Sequence, residues 1–467
     1  MKIKNFISYF VIAAATFGLA ACNDTDAQYT IPQVDAPVLV GSDPAEGSVV
    51  DDGDRVITLE FDKNIGFASA NYDKITLTGG GQVTKAIVYG QSKTLTISTT
   101  GTPKGAQCTL TIPAGLIYGP NKVAAPEITL NYSTKSAPPI DANPVMATSA
   151  KAVALYSYLK NNYGNGVLSG MMAEVAWNNT SAEEVYQWTG KYPAINGYDY
   201  IHMPASVKGA NWINYSDISP VKEWSDNGGI VTIGWHWVVP RKAVEAGAYS
   251  GLNPNTDYTY VPGETEFDLK NATVDGTWEK AFVDYDLANL AAYLKLLKDA
   301  GIPILWRPLH EAAGGWFWWG TDADAFKALW KYMFNYLKAE GFDNLIWVWT
   351  SQTGDDNWYP GDAYVDIVGR DLYGDDAASC ANNYATLSAK YGNKIVTLSE
   401  CGWSEYANGG QGGRIANIAD QWAAGARWSW FMPWYDNSGA GNQHADEAWW
   451  KAAMESEYVI TRDKVNF

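Results

Sequence analysis

Basic residues are scarce in this 467-residue sequence: 33 lysines and arginines stand against 51 aspartates and glutamates, a formal net charge of -18 at pH 7. Nucleic acids and anionic membrane surfaces are bound through a basic face, so this balance argues against both as charge-driven partners. Cysteine is also scarce. Cys22, Cys108, Cys380 and Cys401 lack the paired spacing of a zinc site. We therefore expect no metal, no other cofactor and no nucleic-acid partner.

Long apolar runs are missing beyond the N-terminus, because no later segment approaches the ~20 apolar residues that a membrane span requires. Two lysines precede a mostly apolar stretch over residues 6–18, as in an export signal. Residues 19–22 read Leu-Ala-Ala-Cys, which resembles a bacterial lipobox. The resemblance implies a signal peptide over residues 1–21 and acylation of Cys22; the alternative is an ordinary signal peptide with an incidental cysteine. We expect an exported protein, lipid-anchored to a bacterial (outer) membrane at the cell surface or on the periplasmic face.

Aromatic residues are abundant. They make up 14% of the chain, with 22 tryptophans and 29 tyrosines. A large core explains about half of them, and the surplus suggests exposed stacking surfaces. The length predicts two or three domains at about 150 residues each, or fewer if an α/β barrel of roughly 250 residues or more is present.

The N-terminal part of the mature chain has a β pattern. Residues 22–34 are polar and aperiodic, as expected of a tether. Over residues 35–134, short alternating runs are separated by Gly, Pro and Asp, and about a hundred residues of this kind predict a small all-β sandwich. The segment resembles bacterial Ig-like domains, and we expect it to act as a spacer. Its clearest strand candidates are 56–61, 74–77, 93–97 and 108–112.

A proline-rich linker over residues 135–144 leads into strands that alternate with amphipathic helices up to residue 467. Two helices are predicted at 286–300 and 323–340, each with an apolar face and a closing glycine. The strand candidates are 167–172, 193–198, 229–235, 303–309, 345–350, 365–372, 394–399 and 427–432. Eight βα units predict an α/β fold, a (β/α)8 TIM barrel over residues 145–467. An open doubly wound sheet is the alternative, although no glycine-rich phosphate loop follows the first strand.

Two glutamates stand at the ends of strand candidates. The fourth strand runs into Glu311 and the seventh into Glu400. These strands face each other across a barrel mouth, where such enzymes carry their catalytic groups. Two convergent carboxyl groups are what glycosidic cleavage needs, because one protonates the leaving oxygen while the other attacks the anomeric carbon. A salt bridge to a loop would explain either glutamate alone.

The region from about residue 145 to 460 resembles glycoside hydrolase family 26. The resemblance implies a clan of retaining barrel enzymes in which Glu311 is the acid/base and Glu400 the nucleophile. It is carried by five segments: RPLHE at 307–311, GWFWWG at 315–320, GWHW at 234–237, DLYG at 371–374 and SECG at 399–402.

The same resemblance implies roles around the two glutamates. His236 and His310 would hydrogen-bond the sugar, Tyr373 would hydrogen-bond the nucleophile, and Trp316 would form an aromatic wall beside the scissile bond. The alternative for His236 is a satisfied core histidine. The residues expected to bind substrate are Arg307, Trp235, His236, His310, Trp316, Tyr373 and Trp434.

Some features depart from the family pattern or stay open. Cys401 follows the nucleophile where many relatives have an aromatic residue, and a disulfide with Cys380 is left open. Trp318 and Trp319 are expected to pack, because four near-consecutive aromatics cannot all face one cleft. The excursion over residues 238–280 is too long for a simple connection and is expected to shape the cleft.

These features predict a monomeric, retaining endo-β-1,4-mannanase whose partner is a β-mannan polysaccharide or oligosaccharide: mannan, glucomannan or galactomannan. The alternatives within the family are a β-1,3-xylanase and a mixed-linkage β-glucanase. From another class, a surface glycan-binding lipoprotein with an inactive barrel is possible, but a pure binder has no reason to keep both glutamates. Endo or exo attack stays open.

Overall fold

The computed structural model describes residues 32–135, 139–174, 177–203, 213–243, 258–403, 413–435 and 444–467. The chain divides into two compact units whose boundary falls between residues 136 and 137. The predicted signal peptide and Cys22 lie outside the described residues. In the described ranges, no helix combines the length and apolar character needed to cross a membrane.

The first unit is an all-β sandwich with one apolar core between its two sheets. One sheet has the order β1-β3-β6-β5, with β8 paired to β3, and the other has the order β2-β9-β7-β4. Buried residues alternate with outward-facing ones along the long strands, which is why the sequence pattern identified them. The strands are β1 Leu39–Asp43, β2 Val49–Val50, β3 Gly53–Phe67, β4 Thr76–Leu77, β5 Gln82–Ile87, β6 Ser92–Thr102, β7 Gln107–Ile112, β8 Ile117–Tyr118 and β9 Ile128–Thr134.

The second unit is a closed barrel of eight parallel strands. Each strand pairs with the next, and β10 pairs with both β11 and β19, which closes the sheet and rules out the open alternative. The barrel strands are β10 Val167–Met172, β11 Ile195–Asp199, β12 Ile230–Trp235, β15 Ile304–Pro308, β16 Leu345–Ser351, β17 Ile367–Tyr373, β18 Ile395–Gly402 and β19 Trp430–Pro433. A short hairpin of β13 Val239–Pro240 and β14 Tyr258–Thr259 follows β12, and β20 Val459–Ile460 pairs with β10.

Helices separate the barrel strands. The described α-helices are α1 Ala150–Asn162, α2 Thr180–Thr189, α3 Ser219–Asp226, α4 Trp278–Asp299, α5 Ala323–Ala339, α6 Ala377–Lys390, α7 Ile418–Ala424 and α8 Glu447–Glu455. The described 3₁₀ helices are Ser69–Lys74, Pro120–Lys122, Pro262–Glu264, Leu269–Asn271, Ala312–Gly314, Trp318–Gly320, Asp362–Tyr364 and Arg462–Lys464. Helix α5 shows how the sequence sets these bounds: Asp322 caps two backbone N–H groups at its start, and its apolar face is buried.

Tryptophan fills much of the barrel core. Twelve tryptophans are almost completely buried, of the 22 in the chain. With Trp177, Trp422 and Trp449, which are 7–8% exposed, the core takes up fifteen tryptophans, and Trp316 is the large exposed one within the described ranges.

Candidate active site

The two predicted catalytic glutamates lie at the C-terminal ends of opposite barrel strands. Glu400 lies within β18 and is 4% exposed. Glu311 lies beyond Pro308, the last residue of β15, in a turn where Leu309 and Glu311 have φ angles of 49° and 50°. Side-chain-bearing residues rarely adopt this left-handed conformation, and such strain is typical of functional sites. The turn, rather than a straight strand end, carries the Glu311 carboxyl to the barrel mouth.

A third carboxyl group, that of Asp371 on β17, completes a cluster with the two glutamates. One oxygen from each of Glu311, Asp371 and Glu400 lies within 4.8 Å of the other two. Retaining glycosidases hold their two carboxyl groups ~5–5.5 Å apart, whereas inverting ones leave ~6.5–9.5 Å for a water molecule. Glu311 and Glu400 therefore have the spacing of a retaining pair.

Arg307 on β15 neutralises this cluster. Its guanidinium donates to Glu400 Oε1 at 2.6 Å and to Asp371 Oδ2 at 2.5 Å, and Nε donates to Thr350 at 2.9 Å. Three carboxyl groups this close form a donor set suited to a divalent cation, and here the buried guanidinium supplies positive charge to two of them. Arg307 is 4% exposed, like Glu400, and its described side-chain contacts are to the carboxylates and Thr350, so its sugar contact stays a prediction.

Glu400 is surrounded by groups that stabilise its ionised form. Its second oxygen, Oε2, accepts a hydrogen bond from the Tyr373 hydroxyl at 2.8 Å, as predicted. Burial and the neighbouring Asp371 raise the pKa of Glu400 to about 7. Arg307, His236 and Tyr373 act in the opposite direction and lower the pKa. A carboxylate that accepts from a guanidinium and a hydroxyl is the member of the cluster best held as an anion.

Glu311 accepts from two neutral donors and also shares a hydrogen bond with Asp371. Trp316 Nε1 donates to Oε2 at 2.9 Å and Gln352 Nε2 donates to Oε1 at 3.0 Å. Burial and the charge of Glu400 raise the pKa of Glu311. One guanidinium cannot neutralise three carboxyl groups, and burial also raises the pKa of Asp371, which hydrogen-bonds Glu311, to about 7. A proton is therefore shared within the cluster, and Glu311, which lines the cavity, is the carboxyl group placed to deliver it to a substrate.

Two histidines lie beside the carboxyl groups. The His236 ring is 4.2 Å from the His310 ring, centroid to centroid, and its Nδ1 is 2.6 Å from Asp199 Oδ2. His310 Nε2 is 3.9 Å from Glu400 Oε1. Burial, His236 and Arg307 lower the pKa of His310 well below its ordinary value, so this ring is neutral.

The barrel mouth opens into a cavity of about 720 Å³ with Glu311 in its wall. Among the predicted site residues, His236, Trp316, Tyr373 and Trp434 also line it. Trp316 is 48% exposed, as a sugar-stacking surface requires. Within the described ranges the lining residues are Met172, Asp199, Ile201, His202, His236, Tyr260, Glu311, Trp316, Phe317, Tyr373, Trp434 and Tyr435.

The long excursion after β12 contributes to this wall, as expected. The hairpin of β13 and β14 pairs Val239 with Thr259 and brings Tyr260 to the cavity. The Tyr260 ring lies 5.6 Å from Phe317 and 6.3 Å from His236. Residues 244–257 of the excursion lie outside the described ranges.

Two further predicted substrate contacts are not on the cavity wall. Trp235 is 1% exposed and stacks on Trp237 at 3.9 Å, because its position on β12 places the ring in the core. His310 is 2% exposed, behind His236 and Phe317. The Trp235 prediction is corrected, because its ring packs in the core. The sugar contact of His310 stays a prediction, since this ring is buried beside the nucleophile, with Nε2 3.9 Å from Glu400 Oε1.

The other sequence predictions at this face concern packing and cysteine. Trp318 and Trp319 are almost completely buried, which confirms that they pack. Their indole N–H groups donate to the carbonyl oxygens of Trp237 and His310. Cys380 and Cys401 are both buried free thiols, so the disulfide left open by the sequence is not formed.

Sequence reasoning missed several residues of the site. Asp199 and Asp371 each follow an apolar run on a barrel strand, and this signal was used only for the glutamates. Gln352 also follows a barrel strand, β16, but it is a neutral side chain and so marks a catalytic position less clearly than a carboxyl group does. Tyr260 and His202 lie in loops, where no periodicity marks them.

A closed (β/α)8 barrel with carboxyl groups at retaining distance on its fourth and seventh strands defines a class, the barrel glycoside hydrolases. Within that class the chain belongs to glycosyl hydrolase family 26, whose family model matches residues 140–464. The model of a bacterial Ig-like domain matches residues 33–134.

The chain is similar to several named proteins. It is 44% identical to the family 26 domain of an endo-β-mannanase/endo-β-glucanase from Prevotella bryantii, with a TM-score of 0.62, over 69% of this chain and 100% of that domain. It is 36% identical to a β-mannanase from a symbiotic protist of the termite Reticulitermes speratus, crystallised with a gluco-manno-oligosaccharide; the TM-score is 0.57, and 70% of this chain and 98% of that one are covered. A mannan endo-1,4-β-mannosidase of Thermothelomyces thermophilus is 32% identical over 68% of this chain and 62% of that protein. The chain spans between about half and two thirds of the length of the first such relatives.

Proposed function

We propose that this protein is a retaining endo-β-1,4-mannanase that hydrolyses mannan, glucomannan or galactomannan. The observation that carries the proposal is the pair Glu311 and Glu400, whose oxygens lie within 4.8 Å of each other beside an aromatic-lined cavity. Relatives that are named mannan endo-1,4-β-mannosidases support the choice of substrate.

In the first step, Glu400 attacks the anomeric carbon while the glycosidic bond breaks. The proton on Glu311 passes to the departing oxygen, so the leaving sugar departs as a neutral alcohol. A covalent glycosyl ester of Glu400 results. Arg307 keeps its hydrogen bond to Oε1 of the nucleophile, and Tyr373 orients Oε2.

In the second step, Glu311 is ionised and acts as a base. It takes a proton from a water molecule, whose oxygen displaces Glu400 from the anomeric carbon. The carboxylate of Glu400 is released and Glu311 is protonated again, which restores the starting state. The neutral donors Trp316 and Gln352 allow Glu311 to exist in both forms, because neither contributes a charge that would fix one of them.

Other family activities are alternatives that the site geometry does not separate, since a β-1,3-xylanase or a mixed-linkage β-glucanase needs the same two carboxyl groups. A non-catalytic glycan binder is disfavoured by the hydrogen bonds that hold Glu400 in place.

The deciding experiment is a reducing-sugar assay on mannan, glucomannan, galactomannan, β-1,3-xylan and mixed-linkage glucan. We expect turnover on the β-mannans and none with the Glu400→Ala variant. Turnover on another polysaccharide alone would transfer the proposal to that substrate, and no turnover on any would favour the binder.

We also propose that the protein is exported and anchored through a lipid on Cys22. The support is the apolar stretch that ends in Leu-Ala-Ala-Cys at residues 19–22. Cys22→Ser should move the protein from the membrane fraction to the soluble fraction without a change in kcat. Continued membrane association of this variant would contradict the proposal.

A further inference from the structure

We propose that Asp199 is a positioning residue that holds His236 as an imidazolium beside the catalytic carboxyl groups and thereby helps to keep Glu400 ionised. The proposal rests on the proposed hydrolase function of the site. It assigns a role to Asp199, which the sequence analysis did not select.

The Asp199 carboxylate is fixed by three contacts. It belongs to the last residue of β11, and Oδ2 lies 2.6 Å from His236 Nδ1. Oδ1 accepts the backbone N–H of His236 at 3.0 Å and that of Ile201 at 2.7 Å. One oxygen therefore links the backbone segments that follow the neighbouring strands β11 and β12, and the other contacts the imidazole ring.

A glycine makes this arrangement possible. Gly234 on β12 is the register partner of Asp199 on β11. A Cβ atom on Gly234 would lie 2.7 Å from Asp199 Oδ2, closer than van der Waals contact allows. The carboxylate can thus cross to His236 only because residue 234 has no side chain.

The charged groups around His236 come from three barrel strands. Asp199 on β11 and Glu400 on β18 favour the imidazolium, whereas burial and Arg307 on β15 oppose it. The balance raises the pKa of His236 above its ordinary value. Its other ring neighbours, Tyr260 and Trp434, carry no charge.

The two nearest histidines remain neutral and so do not compete for the charge. Burial lowers the pKa of His202, and the positive charge of His236 lowers it further. The same two causes, together with Arg307, lower the pKa of His310. The site therefore holds one imidazolium among three histidines, at the position that Asp199 selects.

A cation at His236 lies close to the nucleophile, because the His236 ring is 4.2 Å from the His310 ring and His310 Nε2 is 3.9 Å from Glu400 Oε1. At this range the charge of His236 lowers the pKa of Glu400. Asp199 itself is not a catalytic residue in this account, since its effect on Glu400 passes through His236. Replacement of its carboxylate by an amide would leave His236 Nδ1 facing a donor. Nδ1 would then have to accept, and the ring would lose its charge but keep the Nε2 proton.

The test uses the full-length protein labelled with ¹⁵N-histidine, because the chain has only four histidines: His202, His236, His310 and His444. A His236→Gln sample assigns the His236 signals. In the wild type we expect both ring nitrogens of His236 to be protonated at pH 7, with a strongly deshielded Nδ1 proton from the short hydrogen bond. A neutral His236 at pH 7 would overturn the proposal without the need for any variant and without any substrate.

The matched variants are Asp199→Asn and, as a control outside the cavity, Asp217→Asn, whose carboxylate caps Ser219. We expect Asp199→Asn to lower the pKa of His236 by about 1–3 pH units, the effect of an adjacent opposite charge, and Asp217→Asn to leave it unchanged. Asp199→Glu, which keeps the charge, should retain the imidazolium. An unchanged His236 pKa in Asp199→Asn would overturn the role of Asp199; if that variant does not fold, the wild-type spectrum and Asp199→Glu decide.

The second readout is the pH dependence of kcat/KM. Loss of a cation raises the pKa of Glu400, so the acidic limb should move to higher pH in Asp199→Asn, with kcat at the optimum reduced less than at low pH. An unmoved acidic limb despite a lowered His236 pKa would overturn the link to Glu400. Failure of the proposed mannanase function would show instead as absent turnover in the wild type, with the histidine titrations unaffected.

Discussion

At the scale of single residues, Glu311 and Glu400 differ in their partners although they share one cluster. Glu400 accepts from a guanidinium and a phenol, whereas Glu311 accepts from an indole and a carboxamide. A charged donor favours an anion and neutral donors allow a proton, so the division into nucleophile and acid follows from the Arg307 guanidinium, which donates to Glu400.

Glu311→Ala should distinguish the two steps of the reaction. We expect activity on polysaccharide to fall by about 10²–10⁴-fold, the usual contribution of a general acid. The first step on an aryl mannoside with an acidic phenol should be largely retained, because that leaving group needs no proton. Steady-state rates on both substrates and the burst of released phenol measure this. Equal losses on the two substrates would show that Glu311 is not the acid.

Tyr373→Phe removes the hydroxyl that donates to Glu400 Oε2 at 2.8 Å. A hydrogen bond to a charged group is worth about 1.5–3 kcal/mol, so kcat should fall about 10- to 100-fold. The acidic limb of the pH profile should also move up, because Tyr373 lowers the pKa of Glu400. The control is Tyr384→Phe, whose hydroxyl bonds Tyr163 away from the cavity. A profile unchanged from the wild type would contradict this role.

The sequence predicted the site best where a residue follows a long buried strand within a recognisable motif. Glu400 and Tyr373 lie where the motifs implied, and their mutual hydrogen bond is present. Trp235 was misjudged because alternation along a strand shows that a side chain points inward, but not whether it packs on a neighbour or reaches the cavity. That difference depends on tertiary packing.

At the scale of elements, most bounds lie within a few residues of their predictions, and helix α5 begins at Ala323 as predicted. Strand β10 matches its prediction, whereas α4 begins at Trp278 rather than near residue 286. Thr277 caps this helix by accepting from Lys280 N, and the first two turns carry polar residues that obscure the apolar period. The predicted strand at 74–77 is shortened because Ser69–Lys74 forms a 3₁₀ helix.

The entry to β18 depends on a buried lysine. Lys394 precedes this strand, and its fully buried Nζ lies 2.5 Å from Asp141 and 2.8 Å from the Val365 carbonyl oxygen. Lys394→Ala should lower the free energy of unfolding by about 3 kcal/mol, because the Asp141 carboxylate loses its cation and keeps only the neutral donor Asn393, and the Val365 carbonyl loses this donor.

The control is Lys295→Ala, which removes an exposed ion pair with Asp299 and should cost less than about 1 kcal/mol. Urea unfolding followed by tryptophan fluorescence measures both variants. All 22 tryptophans lie after residue 136, so the signal reports on the barrel alone. Similar losses in the two variants would contradict the structural role of Lys394.

At the scale of the whole molecule, the site belongs to one of the two compact units. All residues that line the cavity lie between Met172 and Tyr435, beyond the unit boundary after residue 136. Deletion of residues 23–136 should therefore leave kcat/KM on a soluble manno-oligosaccharide nearly unchanged. The truncated Glu400→Ala protein is the control for background. A folded truncated barrel with greatly reduced kcat would show that the Ig-like unit is needed for catalysis.

The central claim is that Glu311 and Glu400 work as a retaining pair, and the anomeric form of the first product tests it most directly. Proton NMR of a manno-oligosaccharide digest, recorded before mutarotation, distinguishes the two anomers. The oxygens of the pair lie within 4.8 Å, which leaves no room for a water between nucleophile and sugar. We predict that the β-anomer appears first and that the α-anomer grows in only by mutarotation. An α-anomer as the first product would mean inversion, with carboxyl groups ~6.5–9.5 Å apart, and would contradict the account.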